Sequence, residues 1–280
     1  MQITDDVVLS VRELSKQFGE GCSYCLDENG ELQKNMCSKC HTVYATKDVT
    51  FDLYKGEILG VVGESGSGKS TLMKMLYFDE DRTAGQYVLP KDPKNENNVF
   101  EVSSQRKRQI RNEQLGMVYQ NPMLGLKMDF SSVTNIAEKL IASGNRNVKE
   151  MTDRAEHFLE KVNIPLRRKY EAPKNFSGGM QQRVQIAKAL SNYPPILLLD
   201  EVTTGLDLSV QADVLELIKE IQRDMGVSMI VVSHDLAIIR MLCDRTMVML
   251  DGKVIEHGIT DQILEDPQHE YTQQLVYSIL

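Results

Sequence analysis

No stretch of this sequence is apolar for long enough to cross a membrane, a task that takes a helix of about 20 consecutive apolar residues. The longest runs, such as PPILLLD and SMIVVS, are far shorter. The opening MQITDDVVLS lacks the basic region and following apolar stretch of an export signal. A cytoplasmic protein is therefore expected, with any membrane role reached through a partner rather than by direct insertion. Positive charge is also short, because 32 Lys and Arg against 40 Asp and Glu leave a formal net charge of -8. That balance argues against a chain that wraps nucleic acid backbone, which needs a basic face, and no direct nucleic acid partner is expected. The basic run SSQRKRQIRNEQ reads as a solvated helical face. There is no internal repeat and no low-complexity tail.

What remains is an ordinary globular composition, 41% hydrophobic over 280 residues, enough for one large domain over 1–280. VVLSVREL and DVTFDLY read as short strands, the latter alternating Val49, Phe51 and Leu53 with polar residues. EILGVVG is unbroken in its apolar character, as a central strand buried on both faces should be, and it leads through a glycine-rich turn into the helix KSTLMKMLYF. Strand character returns in LGMVYQ, PILLLDE, SMIVVSH and TMVMLDG, separated by the helical patterns GGMQQRVQIAKALS and VQADVLELIKEIQRD. Strands alternating with helices predict an α/β fold with a mainly parallel sheet covered on both sides. Asp251-Gly252 between two apolar runs predicts a hairpin, and DQILEDPQHEYTQQLVYSIL predicts short terminal helices. PKDPKNENN reads as a surface loop, and residues 121–174 read as mostly helical, a helical subdomain inside the α/β core.

Two motifs carry nucleotide chemistry. GESGSGKS, residues Gly63, Glu64, Ser65, Gly66, Ser67, Gly68, Lys69 and Ser70, matches the phosphate loop G-x-x-x-x-G-K-[ST] and lies between a buried strand and a helix start. Its glycines let backbone N–H groups face an anion, and the helix dipole adds favourable potential. Lys69 would contact the β and γ phosphates of ATP, Ser70 would bind Mg²⁺, and Thr71 would support the nearer phosphates. ILLLDE ends an apolar strand on Asp200, which would hold the Mg²⁺ hydration shell, and Glu201, which would polarise the attacking water.

The decisive stretch is FSGGMQQR, Phe176 to Arg183, which resembles the signature of ATP-binding cassette ATPases. Gln120 in MVYQN matches the glutamine of the Q-loop, TTGLD ending at Asp207 matches the D-loop, and His234 in VVSHD matches the switch histidine. The resemblance covers nearly the whole chain. It implies a phosphate-loop NTPase of the cassette type: a mainly parallel core sheet, an antiparallel β subdomain, and an inserted helical and signature subdomain at 121–190. It also implies an ATPase that dimerises head to tail, most simply as a homodimer. ATP would lie between the phosphate loop of one copy and Ser177, Gly178, Gly179 and Gln181 of the other. In that scheme Glu201 is the general base, His234 orients the γ-phosphate and water, and Gln120 joins Ser70 and Asp200 around Mg²⁺. Phe18 resembles the aromatic that stacks on adenine, with Tyr44 as a rival. Val202 departs from the proline that usually follows the glutamate.

The flanking words FSGGMQQRVQIAKAL, LDLSVQADVL and DPQHEYTQQL resemble the peptide and nickel importer branch, which also contains the ATP-binding subunit of the carbon-phosphorus lyase system used to degrade phosphonates. The Q-loop region YQNPMLGLKMDF and the approach VNIPLRRKYEAPKNF favour the lyase side, with the lyase core complex as partner. Membrane permeases of an importer are the alternative, and a non-transport regulatory cassette is the third.

One feature lies outside this pattern. Four of the five cysteines, Cys22, Cys25, Cys37 and Cys40, form two Cys-x-x-Cys pairs within 19–44. In a reducing compartment such pairs point to a closed four-thiolate metal site, structural zinc first and an iron-sulfur cluster second. Asn29-Gly30 is placed to turn a hairpin between the pairs, and adjacent His41 could replace a thiolate. The resemblance assigns this metal-binding hairpin no role, and a docking knob beside the adenine edge is the expectation. Cys243 reads as a small buried apolar residue.

Overall fold

Strands and helices follow one another as the apolar patterning requires. The computed structural model describes residues 6–26, 32–94 and 96–277. In chain order it forms β1 (Val7–Phe18), α1 (Ser23–Leu26), β2 (Leu32–Gln33), β3 (Met36–Cys37), β4 (Val43–Tyr54), β5 (Ile58–Val62), α2 (Lys69–Leu76) and β6 (Ala84–Val88). There follow α3 (Ser104–Glu113), β7 (Leu115–Val118), α4 (Pro122–Gly125), α5 (Ser132–Ala142), α6 (Val148–Lys161), α7 (Gly178–Leu190), β8 (Ile196–Asp200), α8 (Leu208–Met225) and β9 (Ser228–Val232). Then come α9 (Leu236–Leu242), β10 (Arg245–Leu250), β11 (Lys253–Ile259), α10 (Thr260–Glu265) and α11 (Glu270–Tyr277). The chain divides into two units, one from Met1–Val102 with Val232–Leu280, the other Ser103–Val231.

The first unit holds an antiparallel sheet in the order β2-β3-β4-β1-β6 and the neighbouring strands β11-β10-β5. Long β1 and β4 pair from Val7 opposite Tyr54 to Phe18 opposite Val43, burying Leu9, Val11 and Leu14 on one and Val49 and Leu53 on the other. Both strands run further than their apolar patterning predicted: the residues added to β1 are mostly polar, while those added to β4 bury Ala45 and Thr46. Register slips accompany the left-handed residues Glu13 (φ 50°) and Asp48 (φ 53°), which let two long strands twist together. β5 is buried along its whole length and pairs in parallel with β10. β10 turns at Asp251-Gly252 into antiparallel β11. Gly60 is the closest-packed point of β5, because a Cβ there would lie 3.0 Å from the Cys243 sulfur. Cys243 is buried, and desolvation pushes its thiol well above the usual cysteine range. β6, AGQYV, had no apolar run to announce it and is an exposed edge beside β1.

The second unit holds β9-β8-β7, with β7 and β8 parallel, and the helices from α3 to α8. α7 buries Val184, Ile186, Ala187 and Leu190, and α8 buries Val214, Leu217, Ile218 and Ile221 at helical spacing. Polar residues start these helices: Ser131, Asn147, Ser177 and Asp207 each accept a backbone N–H of the first turn. The basic run expected to be a solvated face is α3, but it buries Arg106 and Ile110. A single apolar residue, Ile110, anchors the helix, which a count of charges hides.

Within this unit the Lys139 ammonium is buried and donates to the carbonyls of Leu115 (2.6 Å) and Ala189 (3.3 Å). Desolvation, with nearby Lys188 and Arg111, pulls its pKa from 10.5 down to about 7. Above 10.5 both folded and unfolded chains hold this lysine neutral. As pH falls toward 7 the unfolded chain takes up a proton that the folded chain resists, so stability contributed by the site is lost across that window. The difference in urea stability between the parent and Lys139→Met is therefore expected to grow in the parent's favour from about pH 7 to 10, by at most about 1.4 kcal/mol per pH unit. A flat difference would show that Lys139 titrates normally.

Candidate nucleotide and metal sites

The phosphate loop lies in the first unit, between β5 and α2. Its turns use left-handed glycines: Gly63 at φ 148°, Gly66 at 87° and Gly68 at 103°. At Gly63 a Cβ would run into the Met249 carbonyl, and at Gly68 into the Ala45 carbonyl, so both positions exclude any side chain. Gly68 caps α2 and Lys69 opens it. Lys69 is buried and its Nζ donates to the carbonyls of Gly63 (2.7 Å) and Glu64 (2.8 Å) and to Ser67 Oγ (3.4 Å). The ammonium thus rests on the loop's own oxygens, the partners it would exchange for phosphate oxygens. Ser65 and Ser70 are exposed and Thr71 half-buried in the same turn.

Two further anchors were not legible in the loop motif. The Glu64 N–H donates to the Tyr271 hydroxyl (2.8 Å) of α11, which no local spacing announces. Ser233 donates its N–H to Val61 (3.2 Å), and its hydroxyl accepts from Asp235, which caps α9. Exposed His234 stands between these two fixed residues.

In the second unit β8 ends on buried Asp200 and half-buried Glu201. Glu201 adopts φ 47°, sparsely populated for a residue with a Cβ. Its Oε2 accepts from Gln120 Nε2 (3.0 Å) and from the Thr204 hydroxyl (3.2 Å), so the structure brings Gln120 and Glu201 together. Val202, where the family pattern usually has proline, is 3% exposed. The Q-loop backbone is itself held by α7. Gln182 donates to the Gln120 carbonyl (3.1 Å), while Gln185 donates to the Tyr119 carbonyl (3.1 Å) and accepts from the Tyr119 N–H (2.7 Å). Both glutamines are buried. Their spacing of three in GGMQQRVQ was the available signal, one helical face carrying two amides.

The signature residues gather at the start of α7. Ser177 is exposed and accepts from the Met180 N–H (3.4 Å), Gly178 is exposed, and Gln181 donates to the carbonyls of Pro173 (3.0 Å) and Phe176 (3.1 Å). A Cβ on Gly179 would collide with Val210 in the first turn of α8, which Asp207 caps by accepting the Val210 N–H (3.0 Å). The start of α8 is therefore packed on Gly179, and Leu206 of the D-loop lies 3.2 Å from where a Cβ on Gly178 would be.

Of the two candidate adenine aromatics, Phe18 is 45% exposed with the Lys16 ammonium over its ring, at the end of β1. Tyr44 is half-buried and donates its hydroxyl to the Cys25 carbonyl (3.2 Å).

The four clustered cysteines have their sulfurs within 4.8 Å of one another. Sulfur–sulfur separations are 3.7 Å for Cys22–Cys25, 3.9 Å for Cys22–Cys37 and 3.6 Å for Cys25–Cys40. These are far beyond a disulfide, and a tetrahedral ion with metal–sulfur bonds of about 2.3 Å has sulfur–sulfur edges of about 3.8 Å. The hydrogen bond with the Thr42 hydroxyl (3.3 Å) helps hold the Cys40 thiol down at about 6, favouring the thiolate that binds metal. His41 is exposed, at φ 58°, and stands outside the four. The turn assigned to Asn29-Gly30 lies outside the described residues. The hairpin seen in the clip is β2-β3, and it turns at Lys34-Asn35 with Lys34 at φ 56°.

Residues 46–204 match the model of the ABC transporter family. The chain is 42% identical over 233 residues to PhnK of Escherichia coli strain K12, named a phosphonates utilization ATP-binding protein, covering 83% of this chain and 90% of that protein. It is 37% identical over 250 residues to the oligopeptide transport ATP-binding protein OppD of Bacillus subtilis strain 168, covering 85% of this chain and 67% of OppD. With the glutathione import ATP-binding protein GsiA of Escherichia coli O1:K1 it shares 35% over 248 residues, covering 85% of this chain but only 40% of GsiA. Among solved structures, a dimeric ATP-binding cassette in a post-hydrolysis state bound to ADP and Pi superposes with TM-score 0.74 at 26% identity, over 90% of this chain and 98% of that one.

Gln185→Leu tests the support of the Q-loop. It leaves the Tyr119 N–H and carbonyl without their side-chain partner and is expected to cost about 1–3 kcal/mol in urea unfolding. An unchanged midpoint would mean that water replaces the amide there.

Proposed function

Because the chain belongs to the ABC transporter ATPase family and hydrolyses ATP, we propose that it serves as the ATP-driven subunit of a phosphonate-degrading carbon-phosphorus lyase complex in the cytoplasm. The observation that carries this reading is the match to PhnK along 90% of that protein's length, at higher identity than the matches to OppD and GsiA. The two importer relatives extend further beyond the matched region. An importer subunit gripping two permeases is the second reading, and the OppD match supports it. Among the described residues no helix is long and apolar enough to cross a membrane, so either role reaches its machine by docking.

Cassettes of this family dimerise, and the proposed mechanism follows from that. The domain plan is one cassette over 1–280 carrying a metal hairpin at 19–44 and a helical and signature subdomain at 121–190. Lys69 and the loop N–H groups bind the β and γ phosphates of ATP, with Phe18 the better-placed aromatic for adenine because the Tyr44 hydroxyl is committed to the clip. Ser177, Gly178, Gly179 and Gln181 of a second copy close over the same nucleotide, and Asp207 lies at that junction. Ser70, Gln120 and Asp200 supply the hard oxygen donors that Mg²⁺ takes. When bound, that ion neutralises charge on the β and γ oxygens. Glu201 accepts the proton of the attacking water, and the hydrogen bonds from Gln120 and Thr204 fix its carboxylate for that task. His234 orients water and γ-phosphate from its pinned turn.

The clip is a zinc site in this reading. Its sulfur tetrahedron has the size of one ion, too small to surround an iron-sulfur cluster. A closed four-thiolate shell leaves no open position for catalysis, so zinc is structural. Metal analysis of the purified protein should give about one zinc per chain without visible absorbance, and a coloured protein containing iron would overturn zinc.

Glu201→Gln is expected to lower the rate of ATP hydrolysis by about 10² to 10⁴ while retaining nucleotide and trapping the closed dimer, whereas Lys69→Ala should weaken nucleotide binding itself. Hydrolysis at the parental rate by the Gln variant would remove Glu201 from its role. Affinity purification of the trapped variant from its native cell decides the partner. Recovery of lyase subunits supports the first reading, and recovery of membrane permeases replaces it with the second.

A further inference from the structure

The clip and the phosphate loop belong to the same unit and touch at two places. At the tip of the β2-β3 hairpin, Asn35 Nδ2 donates to the Gly66 carbonyl (3.4 Å), and Lys34 Nζ lies 3.7 Å from the Glu64 carboxylate. Behind the tip, the Tyr44 N–H donates to the Asn35 carbonyl (2.7 Å), and the next residue, Ala45, places its carbonyl against the Gly68 Cα, where no Cβ fits. Only four residues separate Cys40, the last thiolate, from Ala45. The clip is tied down between these points by the Tyr44 hydroxyl on Cys25 and by Thr42, whose carbonyl accepts from Cys37 (2.9 Å) and whose hydroxyl accepts from Gly21 (3.0 Å).

The clip has little else to hold its shape. Among its described residues from Gly19 to Thr42 only Cys37 and Thr42 are buried. A segment with so few apolar contacts cannot offset the entropy of ordering its backbone, and a bound ion can. The ordered tip, in turn, meets the loop at its apex. Gly66 is exposed, has no atom within 4 Å of where its Cβ would be, and is left-handed at φ 87°. The apex is thus the part of the loop with the least packing of its own, and Asn35 supplies it with a partner.

We propose that the four-cysteine site is a metal-dependent buttress of the phosphate loop, in which one thiophilic divalent ion fixes the Lys34-Asn35 turn against Glu64 and Gly66 and so strengthens nucleotide binding. This rests on the four-thiolate metal reading above. Lys34 and Asn35 are positioning residues: Asn35 holds the loop apex, and Lys34 draws the Glu64 carboxylate to one side and adds positive charge beside the phosphates. Nucleotide affinity then reports metal occupancy, which a docking knob alone would not do.

The test uses the full chain and a fluorescent ATP analogue with Mg²⁺. Binding is compared for the protein as purified, the protein stripped by a soft nitrogen chelator that spares Mg²⁺, the stripped protein reloaded with zinc, and Lys34→Ala/Asn35→Ala. Stripping is expected to raise Kd by about 3- to 10-fold, zinc to restore it, and the double variant to show a similar loss with full metal content and an unchanged Tm. Lys34→Arg should retain the parental affinity. A double variant that binds nucleotide as the parent does, with its metal in place, overturns the buttress whatever stripping does, including the case in which the stripped chain unfolds. Substoichiometric metal in the purified parent overturns the metal reading, while the affinity of the double variant still reports on the Lys34-Asn35 contact by itself.

Discussion

Everything in the first unit turns on how closely backbone carbonyls approach the phosphate loop. The Met249 carbonyl occupies the space a side chain would need at Gly63, and the Ala45 carbonyl does the same at Gly68. Those two strands, β10 and β4, fix the path of the loop from either side, and Tyr271 fixes its Glu64 N–H. The Glu64 N–H is spent on the Tyr271 hydroxyl and the Ser67 N–H on the Glu64 carbonyl, so part of the loop is fixed by the chain itself. Lys69, the lysine proposed to serve the phosphates, rests on the loop's own carbonyls at 2.7 and 2.8 Å. In the proposed role, nucleotide binding would exchange these acceptors of Lys69 for phosphate oxygens.

The second unit solves a different problem, that of aiming a carboxylate. Glu201 at φ 47° leaves the strand in a direction an ordinary turn would not give, and the amide of Gln120 and the hydroxyl of Thr204 meet its Oε2 there. Two buried glutamines of α7 hold the backbone that carries Gln120, and the same helix begins with the signature serine. Movement of α7 therefore acts on both the signature and the Q-loop. In the proposed mechanism this one helix carries both the signature serine and the support of the Q-loop, which suits a switch driven by one γ-phosphate.

Much of this was legible in the sequence, and the reasons are specific. GESGSGKS and ILLLDE announce themselves because a phosphate loop and a carboxylate-tipped strand need fixed residue types at fixed spacing. The parallel strands were visible because burial on both faces makes them unbroken apolar runs. β6 was not, since an exposed edge strand imposes no such pattern on AGQYV. α3 is the helix with a solvated face that its charges announced, but the one Ile110 that anchors its other side is outnumbered by those charges. Tyr271 and the Lys34-Asn35 turn lie far from or outside the motifs they serve, and only the folded chain brings them there. Within the clip, the spacing of the cysteines announced the cluster they form, while nothing in the motif marked the Lys34-Asn35 turn that meets the phosphate loop.

The magnitudes decide what the clip can do. An exposed ion pair such as Lys34 with Glu64, whose side chains are 74% and 43% exposed, is worth about 0–1 kcal/mol. A single neutral hydrogen bond at the long end of its range, Asn35 to Gly66, adds about as much. A structural zinc site contributes on the order of 10 kcal/mol. An ion held there would therefore supply far more than the contacts at the tip can pass on, most of it consumed in ordering the clip itself. What reaches the loop is limited by those two contacts, on the order of 1 kcal/mol or a several-fold change in affinity. That is too small to make the metal a master switch and large enough to tune a loop whose apex has no packing of its own. A clip that buttressed the loop in this way would set the resting affinity of the cassette for nucleotide, and would leave the proposed opening and closing of a dimer to the γ-phosphate.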